Sequence, residues 1–411
     1  MTQNEIQEKA VQLFIENNYR GYLDYSVGVG KSKITIDIID HVKSRLDNPN
    51  ILIGIPMLNL QENWEKEFIK WGKEELLQYV KFTSHRSAYK YLDTEVDLYI
   101  GDECHLELTH KYKANLGFPN YLGLSGTISE NKEVILFENN VPRIDKITQK
   151  EAVDLGFINK TVFIKVEYEL SSKLDVDIVG KNFKTSDLKN YNYYHNLFNE
   201  CKLQLSSLGY ESIGTNVYSY LESEHFKKQD PKAYELMSKM SFAMSRRKKI
   251  LFTSNSSVRC ARMVYNLLVS GSLIHEIKDP RVIVFGEETD TLDKICKNTV
   301  HSNKHKNKKE CAKINKGTIE RFNNKEFNAL AASKQVNQGQ NFVDLNVAIY
   351  QSYSSSSTNK GQRDGRLARL PKNRIGYNIY LVAKGTVMES WFNNLSANED
   401  VIVYPKILTF D

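Results

Sequence analysis

The stretch Gly28-Val29-Gly30-Lys31-Ser32 constrains this chain more than any other. Ahead of it, Tyr22 to Val27 reads as a strand. Behind it, Lys33 to Arg45 sets Ile34, Ile38, Ile39 and Val42 at helical spacing. A glycine loop between a strand and a helix can wrap its backbone N–H groups around a phosphate. The lysine then neutralises the outer phosphates and the serine hydroxyl can ligate Mg²⁺. The full spacing G-x-x-x-x-G-K-[ST] asks for glycine at position 25, where this chain has Tyr25. Taken alone, the loop also has a lesser reading, a glycine turn before an ordinary helix.

A second feature changes that balance. Val96 to Gly101 reads as a strand and runs straight into Asp102-Glu103-Cys104-His105. Parallel α/β sheets bind ligands at the C-terminal ends of their strands, so two adjacent carboxylates delivered there have a use. One can hold Mg²⁺ while the other orients or deprotonates a water.

Other segments fit the same pattern. Residues 5 to 18 form an amphipathic helix with Ile6, Ala10, Leu13 and Phe14 on one face, and Gln7 near its start. Asn50 to Pro56 and Tyr121 to Ser125 are continuous apolar runs, as buried parallel strands require. Tyr79 to Thr83 is a further strand. Between them, a helix from Asn59 to Trp71 carries Leu60, Trp64, Phe68 and Trp71 as an aromatic stripe, read as core rather than as a ligand platform.

Alternating strands and helices predict a doubly wound parallel domain over residues 1–150. Residues 151–245 are polar, rich in Tyr, Lys, Asn and Ser, and read as a linker with a helical insert, although Val162 to Val166 is strand-like. A second α/β domain is predicted over 246–411, with strands at 281–286, 327–332 and 347–350 and helices at 258–269, 291–297 and 312–323. Near its end, Gln362-Arg363-Asp364-Gly365-Arg366-Leu367-Ala368-Arg369 places arginines at i and i+3 on one helical face, where they can reach phosphates. A bland basic helix would look similar.

Composition excludes little. The chain has 411 residues, a net charge of +6 and 41% hydrophobic residues, ordinary for a protein in water and compatible with a polyanion partner. No apolar run approaches the roughly 18 residues of a membrane span. The first residues lack a signal-peptide pattern, and five scattered cysteines suit a reducing compartment. A cytoplasmic location is therefore expected, in the host cytoplasm if the chain is phage-encoded. Cys296, His301, His305 and Cys311 match no usual zinc spacing. The lysines at 304, 306, 308 and 309, and Arg246 to Lys249, read as solvated basic stretches or as phosphate contacts.

The order of these motifs resembles that of superfamily 2, DEAD/DEAH-box-like helicases over nearly the whole chain. The resemblance implies two RecA-like parallel-sheet domains in tandem, ATP and Mg²⁺ as cofactors, and nucleic acid as partner. It makes Gln7 the adenine reader and Gly28, Val29, Gly30, Lys31 and Ser32 the phosphate loop, with Ser32 and Asp102 on Mg²⁺. It assigns Glu103 to the attacking water and His105 to coupling. Ser125-Gly126-Thr127 stands for the family's Ser-Ala-Thr. Gln362, Arg366 and Arg369 match Gln-x-x-Gly-Arg-x-x-Arg, whose arginines act on the γ-phosphate. Pro56, Met57, Thr83 and Ser333 fall where the family grips nucleic acid.

Two departures stand out. Cys104 replaces the usual alanine, and Gln338-Gly339-Gln340-Asn341 carries amides where many members have acids. With Gly339 and Asn341 read as nucleotide contacts, this pattern is similar to bacteriophage UvsW-like recombination and branch-migration helicases. The expected function is an ATP-dependent DNA helicase or translocase. An RNA helicase, a restriction-system motor, and a nucleic-acid-binding protein with a degenerate ATPase remain as rivals.

Overall fold

The structure, a computed structural model, describes residues 2–109, 112–126, 128–177, 184–210, 217–275, 277, 279–333, 342–354, 367, 374–397 and 399–410. Its contacts divide the chain into two units. The first holds Met1–Thr161 with the described parts of 337–346 and 356–376; the second holds Val162–Val336, Val347–Ser355 and Tyr377–Asp411.

Strands covered on both faces need apolar side chains at every position rather than at alternate ones. Ile51–Ile55 and Tyr121–Ser125 meet that need and are buried throughout. The first unit runs α1 (Gln3–Glu16), β1 (Arg20–Tyr25), α2 (Lys31–Arg45), β2 (Ile51–Ile55), α3 (Gln61–Lys70), β3 (Val80–Ser84), α4 (His85–Ala88), β4 (Leu98–Asp102), β5 (Tyr121–Ser125), α5 (Glu130–Glu138), β6 (Arg143–Ile147) and α6 (Gln149–Asp154). The strands form one parallel sheet in the order β3-β2-β4-β5-β1-β6. Because β5 lies between β1 and β4, the loop after β1 and the carboxylates ending β4 flank the end of β5. The register brings Asp24 opposite Ser125 and Asp102 opposite Leu124.

Helix α1 starts at a capping box, in which Thr2 and Glu5 satisfy each other's backbone N–H groups. Its Ile6, Ala10 and Phe14 join the core under the sheet. In α3, Trp64 and Phe68 are buried as the stripe predicts, but Trp71 is 39% exposed. The helix ends at Lys70, so Trp71 leaves the apolar face; its indole N–H bonds Glu67 at 3.2 Å and Lys70 sits over its ring.

The second unit differs most from expectation. Its elements are β7 (Thr161–Tyr168), β8 (Val176–Asp177), β9 (Lys184–Thr185), α7 (Asp187–Ser207), α8 (Val217–Leu221), α9 (Glu224–Gln229), α10 (Pro231–Thr253), α11 (Asn255–Val269), β10 (Val282–Gly286), α12 (Thr289–Ile295), β11 (Thr299–Val300), α13 (Lys308–Asn323), β12 (Ala329–Ser333), β13 (Val347–Tyr350), β14 (Gly376–Ala383), α14 (Val387–Ser396) and β15 (Val401–Val403). Seven strands order as β11-β12-β10-β13-β14-β7-β15. The strand-like segment inside the expected linker is thus β7, a member of this sheet, paired in parallel with β15. Residue 246, expected to open the second domain, lies inside the single helix α10. Helices α7 and α10 pack through Cys201, Leu205, Met237 and Met240, giving the polar insert a small core of its own. Arg247 turns inward there, over the Phe198 ring and beside His195 Nδ1 at 3.3 Å, so the basic stretch at 246–249 is not uniformly solvated.

Candidate nucleotide site

The loop from Ser26 to Gly30 leaves β1 at its C-terminal end and opens α2. Gly30 is the N-cap residue at φ 97° and makes no side-chain cap, so helix N–H groups at this end are left for an external acceptor. Gly28 also has positive φ, at 93°. A side chain at Gly30 would collide with Gln7, and one at Gly28 with Ile158, so both positions need glycine for space as well as for backbone angle.

Gln7 is buried, and its Nε2 donates to the Val29 carbonyl at 3.0 Å. Gln3, which the motif reading passed over, donates to the carbonyls of Gly28 and Val29 at 3.2 and 3.1 Å. Both glutamines on α1 therefore brace the loop. The Lys31 ammonium reaches back to the Tyr25 carbonyl at 2.7 Å and the Ser26 carbonyl at 3.4 Å. Ser32 follows in the first turn of α2. A methyl group on Gly126 would stand 3.4 Å from the Tyr25 carbonyl oxygen and 3.5 Å from Lys31 Nζ, ordinary contacts, so the space there would admit the family's alanine.

Across β5, Asp102 closes β4 and is half-buried. Trp64 Nε1 donates to its Oδ2 at 3.1 Å. Burial, and then the neighbouring Glu103 charge, push the Asp102 carboxyl up to about 6 against the pull of Trp64 and Lys31. Burial raises Glu103 as well, but its bond to His105 and the Lys31 charge prevail and hold it below the usual range. Two adjacent carboxyls with proton affinities pushed apart are suited to different tasks. Glu103 is held at φ 53°, strained backbone for a residue with a side chain. That turn aims its carboxylate at His105: Oε2 lies 3.3 Å from Nδ1. The same Nδ1 is hydrogen-bonded to Ser125 Oγ at 2.9 Å, joining the carboxylate, the histidine and the end of β5.

The oxygen donors here, one serine hydroxyl and one carboxylate with a neutral partner, fit Mg²⁺, which takes hard oxygens and shares its shell with phosphates and water. Cys104 is fully buried and its thiol is pushed well above the ordinary range, first by burial and then by nearby carboxylates; it packs as a small apolar residue. Behind the site, Glu107 is completely buried and accepts from Tyr99, from Tyr121 at 2.9 Å and from Asn115 at 3.1 Å. Nothing in the motif pattern marked Gln3 or Glu107, and the aromatic stripe reads Trp64 as core, with no polar duty. Trp64 and Asp102 stand 38 positions apart, and a stripe of spaced aromatics gives no sign of which ring carries a polar duty.

The remaining expected residues fall elsewhere. Pro56 is half-buried and Met57 is 38% exposed after the end of β2. Thr83 is buried within β3. Ser333 ends β12 in the second unit and is buried. His301 and Cys311 are engaged in that unit, with Asp293 at 3.1 Å and with the His301 and Ser302 carbonyls. Thr127, Gln338, Gly339, Gln340, Asn341, Gln362, Arg366 and Arg369 lie outside the described residues.

Comparison with known proteins accords with this geometry. The family described as "Helicase conserved C-terminal domain" matches residues 238–371, and that described as "Type III restriction enzyme, res subunit" matches residues 1–90. The two matches support a superfamily 2 helicase. No curated protein sequence matches significantly. Among solved structures, the Pyrococcus furiosus Hef helicase domain is similar at a TM-score of 0.50 and 14% identity, covering 95% of this chain and 96% of that one. Dbp5 of S. cerevisiae, bound to RNA and ADP BeF3, is similar at 0.56 and 9% identity, covering 97% and 90%. At these identities the likeness shows the helicase fold, two RecA-like parallel-sheet domains in tandem.

Proposed function

We propose that the chain is an ATP-dependent DNA helicase or translocase of the UvsW-like kind, which unwinds strands or migrates branches during replication, recombination or repair. One arrangement carries the reading: the Lys31 loop, the Asp102–Glu103 pair and Ser125 converge at the ends of three adjacent strands, β1, β5 and β4. A binding scaffold would have no use for the strained Glu103 turn. Bound Mg²⁺, on Ser32 and Asp102, would offset the charge of the substrate phosphates.

Lys31 and the N–H groups of the loop hold the β and γ phosphates, and Gln7 reads the adenine from its post beside Val29. Glu103 orients the attacking water and His105 passes the state of that carboxylate to Ser125. Gly339 and Asn341 contribute further nucleotide contacts. Arg366, Arg369 and Gln362 complete the catalytic set by stabilising charge on the transferring phosphoryl group. Met57, exposed after β2, and the half-buried Pro56 beside it contact nucleic acid, and the buried Thr83 and Ser333 are assigned to the same partner. Binding runs mainly through phosphates and is therefore salt-sensitive and tolerant of sequence.

The test is ATP hydrolysis with single-stranded DNA, forked DNA or RNA added. Stimulation by DNA supports the proposal. Stimulation by RNA alone would make the chain an RNA helicase. Turnover indifferent to every polymer would remove the motor reading.

A further inference from the structure

We propose that Trp64 is a positioning residue for Asp102, fixing the carboxylate so that one oxygen is reserved for Mg²⁺; this rests on the nucleotide-site reading above. Trp64 lies on the inner face of α3 between Leu60 and Phe68, and is 6% exposed. For packing alone a phenylalanine would serve. A buried indole brings an N–H that must find an acceptor, and here the acceptor is Oδ2 of Asp102 at 3.1 Å.

The choice of donor matters. A cation in this place would bind the carboxylate more strongly but would repel Mg²⁺ from it. A neutral N–H holds Oδ2 and sets the plane of the group without adding charge, leaving Oδ1 to a cation. The charges around Asp102 are Glu103, Lys31 and His85, none of which can set that plane without also altering the local field. The indole is also rigid, because it is clamped in the same apolar cluster as Ile53 of β2 and Ile100 of β4. Partners of this kind, one bond removed from a metal, typically change metal affinity by about 10- to 100-fold when removed.

The test uses Trp64→Phe, which keeps an aromatic ring in the cluster and deletes the donor. Binding of a fluorescent ADP is titrated in EDTA and then as a function of added Mg²⁺, and turnover is followed against Mg²⁺. The proposal expects affinity in EDTA within about twofold of wild type and a Mg²⁺ midpoint raised about tenfold, with turnover at saturating Mg²⁺ reduced less than the midpoint is raised. An unchanged midpoint with nucleotide binding intact overturns the role of Trp64 alone. Absence of nucleotide binding by the wild-type chain overturns the nucleotide site and this inference with it.

A second measurement leaves Trp64 itself in place. The chain has 3 tryptophans, so Trp71→Phe with Trp391→Phe leaves Trp64 as the sole tryptophan, which is excited selectively at the red edge of its absorption. Its emission should shift when Mg²⁺ is added to the ADP complex and not when ADP is added in EDTA. Emission indifferent to Mg²⁺ would overturn the proposal.

Discussion

The Lys31 ammonium donates a 2.7 Å hydrogen bond to the carbonyl of Tyr25, the residue that stands where the phosphate-loop spacing asks for glycine. The Tyr25 ring points the other way. It is fully buried, and its hydroxyl donates to Asp145 at 2.9 Å. The departure from the motif is thus confined to the core side of β1, while the backbone group that seats the lysine is the one any residue would supply. Tyr25→Phe should cost about 1–3 kcal/mol in urea unfolding through the lost bond to a carboxylate, with ATP turnover unchanged. Tyr25→Gly, which restores the motif, should cost at least about 3 kcal/mol and bring no gain in turnover. A gain would mean that the tyrosine cripples the loop.

Gly30→Ala tests the loop from the other side. At φ 97° the new side chain is strained by about 1–3 kcal/mol and meets Gln7. The loop must move away from the glutamine that braces it. Nucleotide affinity should fall at least about tenfold while the melting temperature drops by a few degrees. Wild-type affinity in this variant would contradict the braced-loop geometry.

Asp102 gives a stability prediction with a definite sign. Its carboxyl is raised to about 6, above its unfolded value, so the folded chain holds the proton more tightly than the unfolded chain does. The Asp102 contribution to stability therefore falls as pH rises from about 4 to about 6 and stays low above that, by up to about 3 kcal/mol. Asp102→Asn removes that charge and can still accept the Trp64 N–H. The variant should be more stable than wild type at pH 7.5, indistinguishable from it near pH 4, and inactive. Thermal melts across that range check it, and equal stability at pH 7.5 would contradict it.

The Glu107 network supplies a prediction far from phosphate. Tyr121→Phe deletes a 2.9 Å donor to a fully buried carboxylate and should cost about 1.5–3 kcal/mol by urea denaturation. Tyr121 stays neutral at any working pH, because burial and then the Glu107 charge push its hydroxyl well above the ordinary range. The loss should therefore be the same at pH 6 and pH 9.

The features that were legible in the sequence are those whose chemistry is contiguous along the chain. The glycine loop, the Asp102–Glu103 pair and the end of β5 each announce themselves within a few residues, and the buried strands beside them are unbroken apolar runs. What the chain did not disclose depends on distant partners. Thr161–Tyr168 reads as a strand, but that it belongs to the second sheet is decided by Val401–Val403, far along the chain. Strand β14 and helix α14 went unnoticed, because Gly376 and a mixed apolar-polar run obscure the one and an aromatic-rich turn the other. Within the site, Gln7 could be found from its place before the loop, whereas Gln3 and Trp64 show their duties only through bonds to Gly28 and to Asp102. Side-chain partners across a fold leave no local pattern to read.

In the proposed mechanism Glu103, held at a strained φ beside His105, orients the water that attacks ATP. The most direct test is ATP turnover by Glu103→Gln at saturating single-stranded DNA, with nucleotide binding measured on the same sample. Turnover should fall at least about 100-fold with nucleotide affinity retained. Turnover near that of wild type would contradict it.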